Sequence, residues 1–299
     1  MARYTWKASP TAIRNLAILA VVVILIFWLL ISGLARGVRQ GRAKREYRKI
    51  AATVAVDREA YEMQNLSFPS GRIIQASTTP LPDSVAEYLW FFYNQDKFPA
   101  GQILVAKGNP GYTHFLYQYG NELSGTYKGE ISLTTAEASA DIPHLYQYDA
   151  RWAYEEYFDT VIGLGGDGPT ALSMCIIGLT GDTSANPKVI ADYAIENDLY
   201  YEGYGTAWAL IPYCAEDYGL KTNEVILDQY AMESELDQGK VMIVVLEKSP
   251  YYPDAHYLVL TGYDVQGFFV NDPLDAGRVR YAYSELEDYI VAIWALDKE

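Results

Sequence analysis

Cysteine is all but missing from this 299-residue chain: Cys175 and Cys214 are the only two. Two thiols allow at most one bridge, so a disulfide-stapled fold is excluded, and both read as small buried hydrophobes. No cysteine follows the apolar N-terminal stretch, which argues against a lipoprotein anchor. Histidine is as scarce. His114, His144 and His256 are the only three, and none pairs at ligand spacing, so neither a metal nor a cofactor is expected. A phosphate-cradling glycine loop is also missing, because Gly163 to Gly168 lacks the preceding strand and the Lys, Ser or Thr of a nucleotide site. Positive charge is sparse outside the N-terminus. Residues 1–50 hold ten Lys/Arg and one acid, Glu46; from totals of 23 and 38 this leaves 13 basic and 37 acidic residues in 51–299, a net of -24. Such a body repels phosphates, and nucleic acid is not an expected partner.

What is present is a chain half hydrophobic, long enough for one or two domains, with an unusual 27 tyrosines. Leu16 to Ala35 carries no charge, and twenty helical residues span roughly 30 Å, the thickness of a bilayer core. It is longer than a signal-peptide core, so an uncleaved single-pass anchor is expected, with cleavage after Ser32-Gly33-Leu34-Ala35 as the alternative. Membrane lipid is therefore an expected partner, and the basic run that follows the span reads as a face touching anionic headgroups. Arg36, Arg39, Arg42, Lys44, Arg45, Arg48 and Lys49 follow the span, against Arg3, Lys7 and Arg14 before it. The positive-inside rule alone would put the large domain in the cytoplasm.

The expected organisation is a short basic N-terminus (1–15), the anchor (16–35), a stalk helix and linker (36–82), a small helical segment (83–139) and a main domain (140–299). Within the small segment, Asp83 to Tyr93 reads as a short helix, and Phe98 to Tyr119 as two helical pieces broken at Asn109-Pro110-Gly111. In the main domain, helices are expected over Pro169 to Leu179, from Asn186-Pro187 to about Asn197, over Ala207 to Tyr218 with a bend at Pro212, and over Met232 to Gln238. The period then changes. Val241 to Leu246, Tyr257 to Tyr263, Phe268 to Asn271, Val279 to Tyr283 and Ile290 to Leu296 read as strands. Helices first and antiparallel strands second is an α+β pattern.

One stretch carries chemistry. Gly165-Gly166-Asp167-Gly168-Pro169-Thr170 reads as a tight turn feeding a helix, and His256 and Asn271-Asp272-Pro273 follow far downstream. A turn and helix, then His, then Asn/Asp is the chain order of a papain-like cysteine peptidase. Such a site activates a thiol through a helix N-terminus and an imidazole, with a side-chain amide stabilising the oxyanion and a third residue orienting the base. The candidates are Gln147 for the oxyanion, His256 for the base and Asp272 as orienter. Taken singly each has an ordinary use: a core histidine, a loop amide, a strand-ending turn. Asp167 between glycines is ordinarily a turn residue or helix cap.

From about Asp141 to Leu296 the sequence resembles the peptidase C thirty-nine-like family, papain-fold relatives of the bacteriocin-leader peptidases. The resemblance rests on Ile142-Pro143, Gln147-Tyr148-Asp149 and Trp152, on Gly168-Pro169-Thr170-Ala171-Leu172-Ser173-Met174, and on Gly178-Leu179-Thr180-Gly181-Asp182-Thr183. Gly205-Thr206-Ala207-Trp208, His256 to Tyr263 and Val270-Asn271-Asp272-Pro273 complete it. Residues 98–119 also resemble the helical piece that often precedes such domains in membrane-anchored or exported Gram-positive proteins, which points to the outer face of a bacterial plasma membrane. The resemblance implies a papain-like fold, helices packed on an antiparallel sheet. It implies roles for Gln147, His256 and Asp272 as above, with Gly166, Gly168 and Trp208 as binding residues. It also implies a catalytic Cys at the position held by Asp167. The expectation is a peptidase-like domain without its nucleophile, holding an extended peptide or a cell-wall fragment. The alternatives are a hydrolase using Asp167 and His256 unconventionally, or an adaptor meeting another membrane protein.

Overall fold

The computed structural model describes residues 91, 94–98, 100–121, 127–201, 205–252, 254–275 and 277–298. The expected anchor at 16–35, the stalk, and nearly all of the helix expected at 83–93 lie outside the described residues. Among the described residues no helix is long and apolar enough to cross a membrane.

After a 3-10 turn at Gln95–Lys97 come two short helices, α1 (Ala100–Gly108) and α2 (Pro110–Gly120). The break between them is chemical. Asn109 takes an extended backbone, its side chain accepts the Tyr112 N–H as a cap, and Pro110 occupies the first turn, where its missing donor costs nothing. A one-turn helix, α3 (Thr135–Ala138), is closed by a reciprocal Thr134–Glu137 capping box. After the hairpin of β1 (Glu156–Tyr157) and β2 (Thr160–Val161) comes α4 (Ile162–Gly165), then the central helix α5 (Asp167–Thr180). This helix starts two residues earlier than its sequence suggests, so Asp167 belongs to its first turn. Gly168 to Ile177 are all buried, as expected of a helix apolar all round.

Asn186 caps α6 (Pro187–Glu196); the hairpin of β3 (Tyr200–Tyr201) and β4 (Gly205–Thr206) follows, then α7 (Leu210–Asp217). Helix α7 starts three residues later than expected. Pro212 therefore sits in its first turn, where no bend is required. The chain continues through β5 (Leu220–Glu224) and α8 (Gln229–Asp237), which Asp228 caps earlier than the apolar pattern indicates. It ends with β6 (Val241–Leu246), β7 (His256–Asp264), β8 (Gly267–Asn271), β9 (Arg280–Tyr281), α9 (Tyr283–Leu286) and β10 (Ile290–Lys298).

The fold is α+β. Six antiparallel strands lie in the order β5-β10-β6-β7-β8-β9. The central strand β6 divides its side chains between two cores. Val241, Ile243 and Val245 join one with Leu172, Ile176, Ile190 and Leu210 of α5, α6 and α7. Met242, Val244 and Leu246 join another with Met232 and Leu236 of α8. Burial on both faces explains why β6 reads as a continuous apolar run. β5 was not expected. Its sequence, Leu-Lys-Thr-Asn-Glu, is mostly exposed at the sheet edge, and β10 pairs with it from Trp294 to Lys298. The strand expected at Val279 to Tyr283 shrinks to two residues because Tyr283 opens α9.

A third core joins α1 and α2 to the main domain: Ala106, Tyr112, Phe115 and Leu116 pack with Tyr146, Tyr148 and Ala153. Gly163 permits this approach, since a Cβ there would lie 2.3 Å from the Phe115 ring.

Candidate functional site

The site forms where the start of α5 meets the start of β7 and the end of β8. Asp167, in the first turn of α5, places its charge where the helix dipole favours a negative group. Its Oδ1 accepts the Gly168 N–H at 2.9 Å. Its Oδ2 lies 2.9 Å from His256 Nδ1 and accepts the Tyr257 N–H at 3.2 Å. On the other side of the imidazole, His256 Nε2 lies 2.8 Å from Asp272 Oδ1. Three residues separated by up to 105 positions thus form one line, carboxylate–imidazole–carboxylate. The His256 and Asp272 side chains are buried, and Asp167 is 16 % exposed.

Both ring nitrogens face carboxylate oxygens. A neutral imidazole has one N–H and could satisfy only one of them; the imidazolium satisfies both. Burial alone would lower the His256 pKa. The charge of Asp272, hydrogen bonds to Asp167 and Asp272, and the charge of Asp167 outweigh it, and the pKa is pushed up to about 10. Asp272 shows the converse. Burial would raise its pKa, but the His256 charge, the bonds from His256 and Tyr252, and the Leu274 N–H hold it below the usual carboxylate range. The Leu274 N–H reaches Asp272 Oδ1 at 2.7 Å, and the Tyr252 hydroxyl donates to Asp272 Oδ2. The Tyr252 ring also lies against the imidazole, tilted by 31° with centroids 4.1 Å apart, and its oxygen lies 3.0 Å from the Tyr281 hydroxyl.

The loop at 142–149 is stitched to the end of β8. Asn271 Nδ2 donates to the carbonyls of Ile142 and Pro143, and the Gln147 N–H donates to Pro273 O at 3.0 Å. His144 Nε2 lies 2.8 Å from Asp272 O and 3.1 Å from Asp272 N, so it satisfies one or the other according to its tautomer. Burial holds the His144 pKa low.

The buried Gln147 donates its side-chain amide to Gly163 O at 3.1 Å. Its Oε1 is buried with no hydrogen-bond partner among the described residues. Gly166 precedes α5, and its carbonyl accepts both the Thr170 N–H and hydroxyl. Gly168 lies under β4, where a Cβ would come within 3.1 Å of three Thr206 side-chain atoms. Both glycines therefore have packing reasons to be there. Trp208, two residues beyond β4, is 46 % exposed and meets Trp294 edge to face. The thiols lie elsewhere. Cys175 is within α5 and Cys214 within α7, and burial pushes both pKa values up, Cys214 to about 12 with a contribution from Asp217. Among the described residues no group of three or more His, Cys, Asp or Glu could hold a metal ion.

Sequence reasoning missed Tyr252, Leu274 and Asn109. Tyr252 has no distinguishing signal among 27 tyrosines. Asn109 reads correctly as a helix break, but its side chain also donates from Nδ2 to Leu274 O at 2.5 Å and to the Tyr148 hydroxyl at 3.1 Å.

The sequence model of the Peptidase_C39 like family matches residues 139–298. Among solved structures, the chain is similar to a C39-like peptidase from Bacillus anthracis at 15% identity, covering 53% of this chain and 95% of that one, with a TM-score of 0.39. It is similar to the peptidase domain of Streptococcus ComA, a bi-functional ABC transporter involved in quorum sensing, at 16% identity, 44% and 94% coverage and a TM-score of 0.34. No curated protein matches the chain. The family match takes in more than half of the sequence. The chain belongs to the Peptidase_C39 like family.

Proposed function

We propose that this family member is a membrane-tethered, catalytically silent peptidase domain whose cleft holds an extended peptide or cell-wall fragment without cutting it. One observation carries the reading: the group that faces His256 from the first turn of α5 is a carboxylate, paired with the imidazole at 2.9 Å. Thiol catalysis needs a polarizable nucleophile that attacks a carbonyl carbon and a base that moves a proton to the leaving amine. A carboxylate is a poor nucleophile toward an amide. The imidazolium, in turn, keeps the proton it would have to pass on, because both of its N–H groups are held between charged oxygens. The pair reproduces the charge pattern of thiolate and imidazolium while lacking the sulfur.

Neither native cysteine supplies a substitute. Cys175 is eight residues along α5, about 12 Å up the helix axis, and Cys214 lies on α7. The apolar run at 16–35 supports a single-pass anchor, and we assign the domain to the outer face of a bacterial plasma membrane. Protease accessibility in intact cells tests that side.

The site is tested with Asp167→Cys. We expect the wild type to cut no member of a broad peptide and ester panel, and the variant to be labelled by a thiol probe at residue 167 and to gain cleavage. Both native thiols are buried and serve as silent controls. Brisk cleavage by the wild type, or a variant that neither labels nor cuts, would sink the proposal.

A further inference from the structure

We infer that α1 and α2, which precede the matched family domain, are part of its site, and that Asn109 is a positioning residue for the Asp272–His256 pair. The contacts form one continuous path. Asn109 Nδ2 donates to the carbonyl of Leu274, the N–H of Leu274 donates to Asp272 Oδ1, and that same oxygen faces His256 Nε2. One residue, Leu274, is held from the helical segment through its oxygen and holds the site through its nitrogen. The other amide hydrogen of Asn109 goes to Tyr148, on the loop that carries Gln147.

The same segment also reaches the loop that carries Gln147 and the carbonyl that Gln147 bonds. Tyr112, one turn into α2, meets Tyr148 edge to face at 5.6 Å. Phe115 closes over Gly163, whose carbonyl takes the Gln147 amide. The Tyr112 hydroxyl is held protonated, first by burial and then by the negative charge of Asp167. The segment therefore touches the surroundings of the site at Leu274, at Tyr148 and at Gly163, and all three contacts belong to residues 109–115. Asn109 is buried with both of its amide hydrogens and its side-chain oxygen in use. That exceeds what capping α2 requires, since a cap uses only the side-chain oxygen.

The inference rests on the site proposed above being the functional centre, but its test reads the imidazole and not turnover. It can therefore fail while the Asp167→Cys result stands, and the reverse. The full-length chain, labelled with nitrogen-15 at its three histidines, is titrated by NMR. The groups facing His256 are Asp167, Asp272, the Tyr252 ring and, at longer range, Asp275. Asn109→Ser keeps an oxygen for the cap and removes both amide donors. We expect it to lower the pH at which His256 loses its proton by about one unit, a tenfold change in the equilibrium. Thr180→Val, which removes a hydroxyl bonded to Ile176 O at the far end of α5, is a structural control expected to leave that pH unchanged.

Should Asn109→Ser unfold, amide exchange on the wild type decides. If the segment braces the turn, the Leu274 and Tyr112 N–H groups open together with one protection. A His256 titration unmoved by Asn109→Ser, or equally moved by Thr180→Val, overturns the inference. So does Leu274 protection that follows the sheet and not α2.

Discussion

A pH titration of stability exposes the central pair directly. The His256 pKa rises from 6.5 in an unstructured chain to about 10 in the fold. A group whose folded pKa is raised contributes stability that is fully present below its unfolded value and is lost as pH climbs through the folded one. The contribution is therefore complete below pH 6.5 and gone above about 10. At 1.36 kcal/mol per unit, its upper bound is roughly 5 kcal/mol, a large share of the 5–15 kcal/mol that holds a typical domain. Asp272 works the other way. Its folded pKa is depressed, so its contribution is present above its unfolded value and lost as pH falls through the folded one. Together they predict a plateau from weakly acidic pH to about 6.5 and a steep alkaline loss. Urea unfolding followed by tryptophan fluorescence at intervals from pH 5 to 10.5 measures it, and the histidine signals assign it. Asp167→Asn retains shape and removes one of the two charges, so its alkaline decline should begin at lower pH than in the wild type. A flat profile from pH 6.5 to 10, or a His256 signal titrating near 6.5, refutes the paired-imidazolium account.

Two further outcomes test the scaffold around the site. Gly163→Ala puts a methyl 2.3 Å from Phe115 and should cost about 1–3 kcal/mol by urea unfolding; an unchanged midpoint would mean that α2 does not pack there. Arg151→Met leaves the buried carboxylates of Glu137 and Asp149 without their cation, after losing contacts of 2.6 and 2.9 Å. It should cost about 3–5 kcal/mol, and restoring neutrality with Glu137→Gln in the same chain should recover part of that loss.

How much of this was legible in the sequence depends on the range over which each feature is specified. The strands at 241–246 and 290–296 are visible because strands largely covered on both faces demand apolar residues at nearly every position. β5 is invisible for the same reason reversed. At the sheet edge its Lys221, Thr222, Asn223 and Glu224 are chosen for water, and only pairing with β10 makes them a strand. The two-residue hairpins have no periodicity to read. Pro212 misleads because a helix boundary shifted by three residues turns a kink into a first-turn proline.

The site shows the same division. Chain order and local motif single out Asp167, His256, Asp272 and Gln147, and the fold draws the first three into contact. Orientation is another matter. That the Gln147 amide donates to Gly163 O follows from how the 142–149 loop is tied to Asn271 and Pro273, contacts across more than a hundred residues. The same holds for Asn109. Its sequence neighbours Pro110 and Gly111 explain the helix break completely, so nothing local hints at further work for the amide. A residue whose nearest duty accounts for its identity conceals a second one. Side-chain donors in excess of that duty are where tertiary structure adds information, and at Asn109 one of them leads through Leu274 to Asp272 beside His256, the other to Tyr148 next to Gln147.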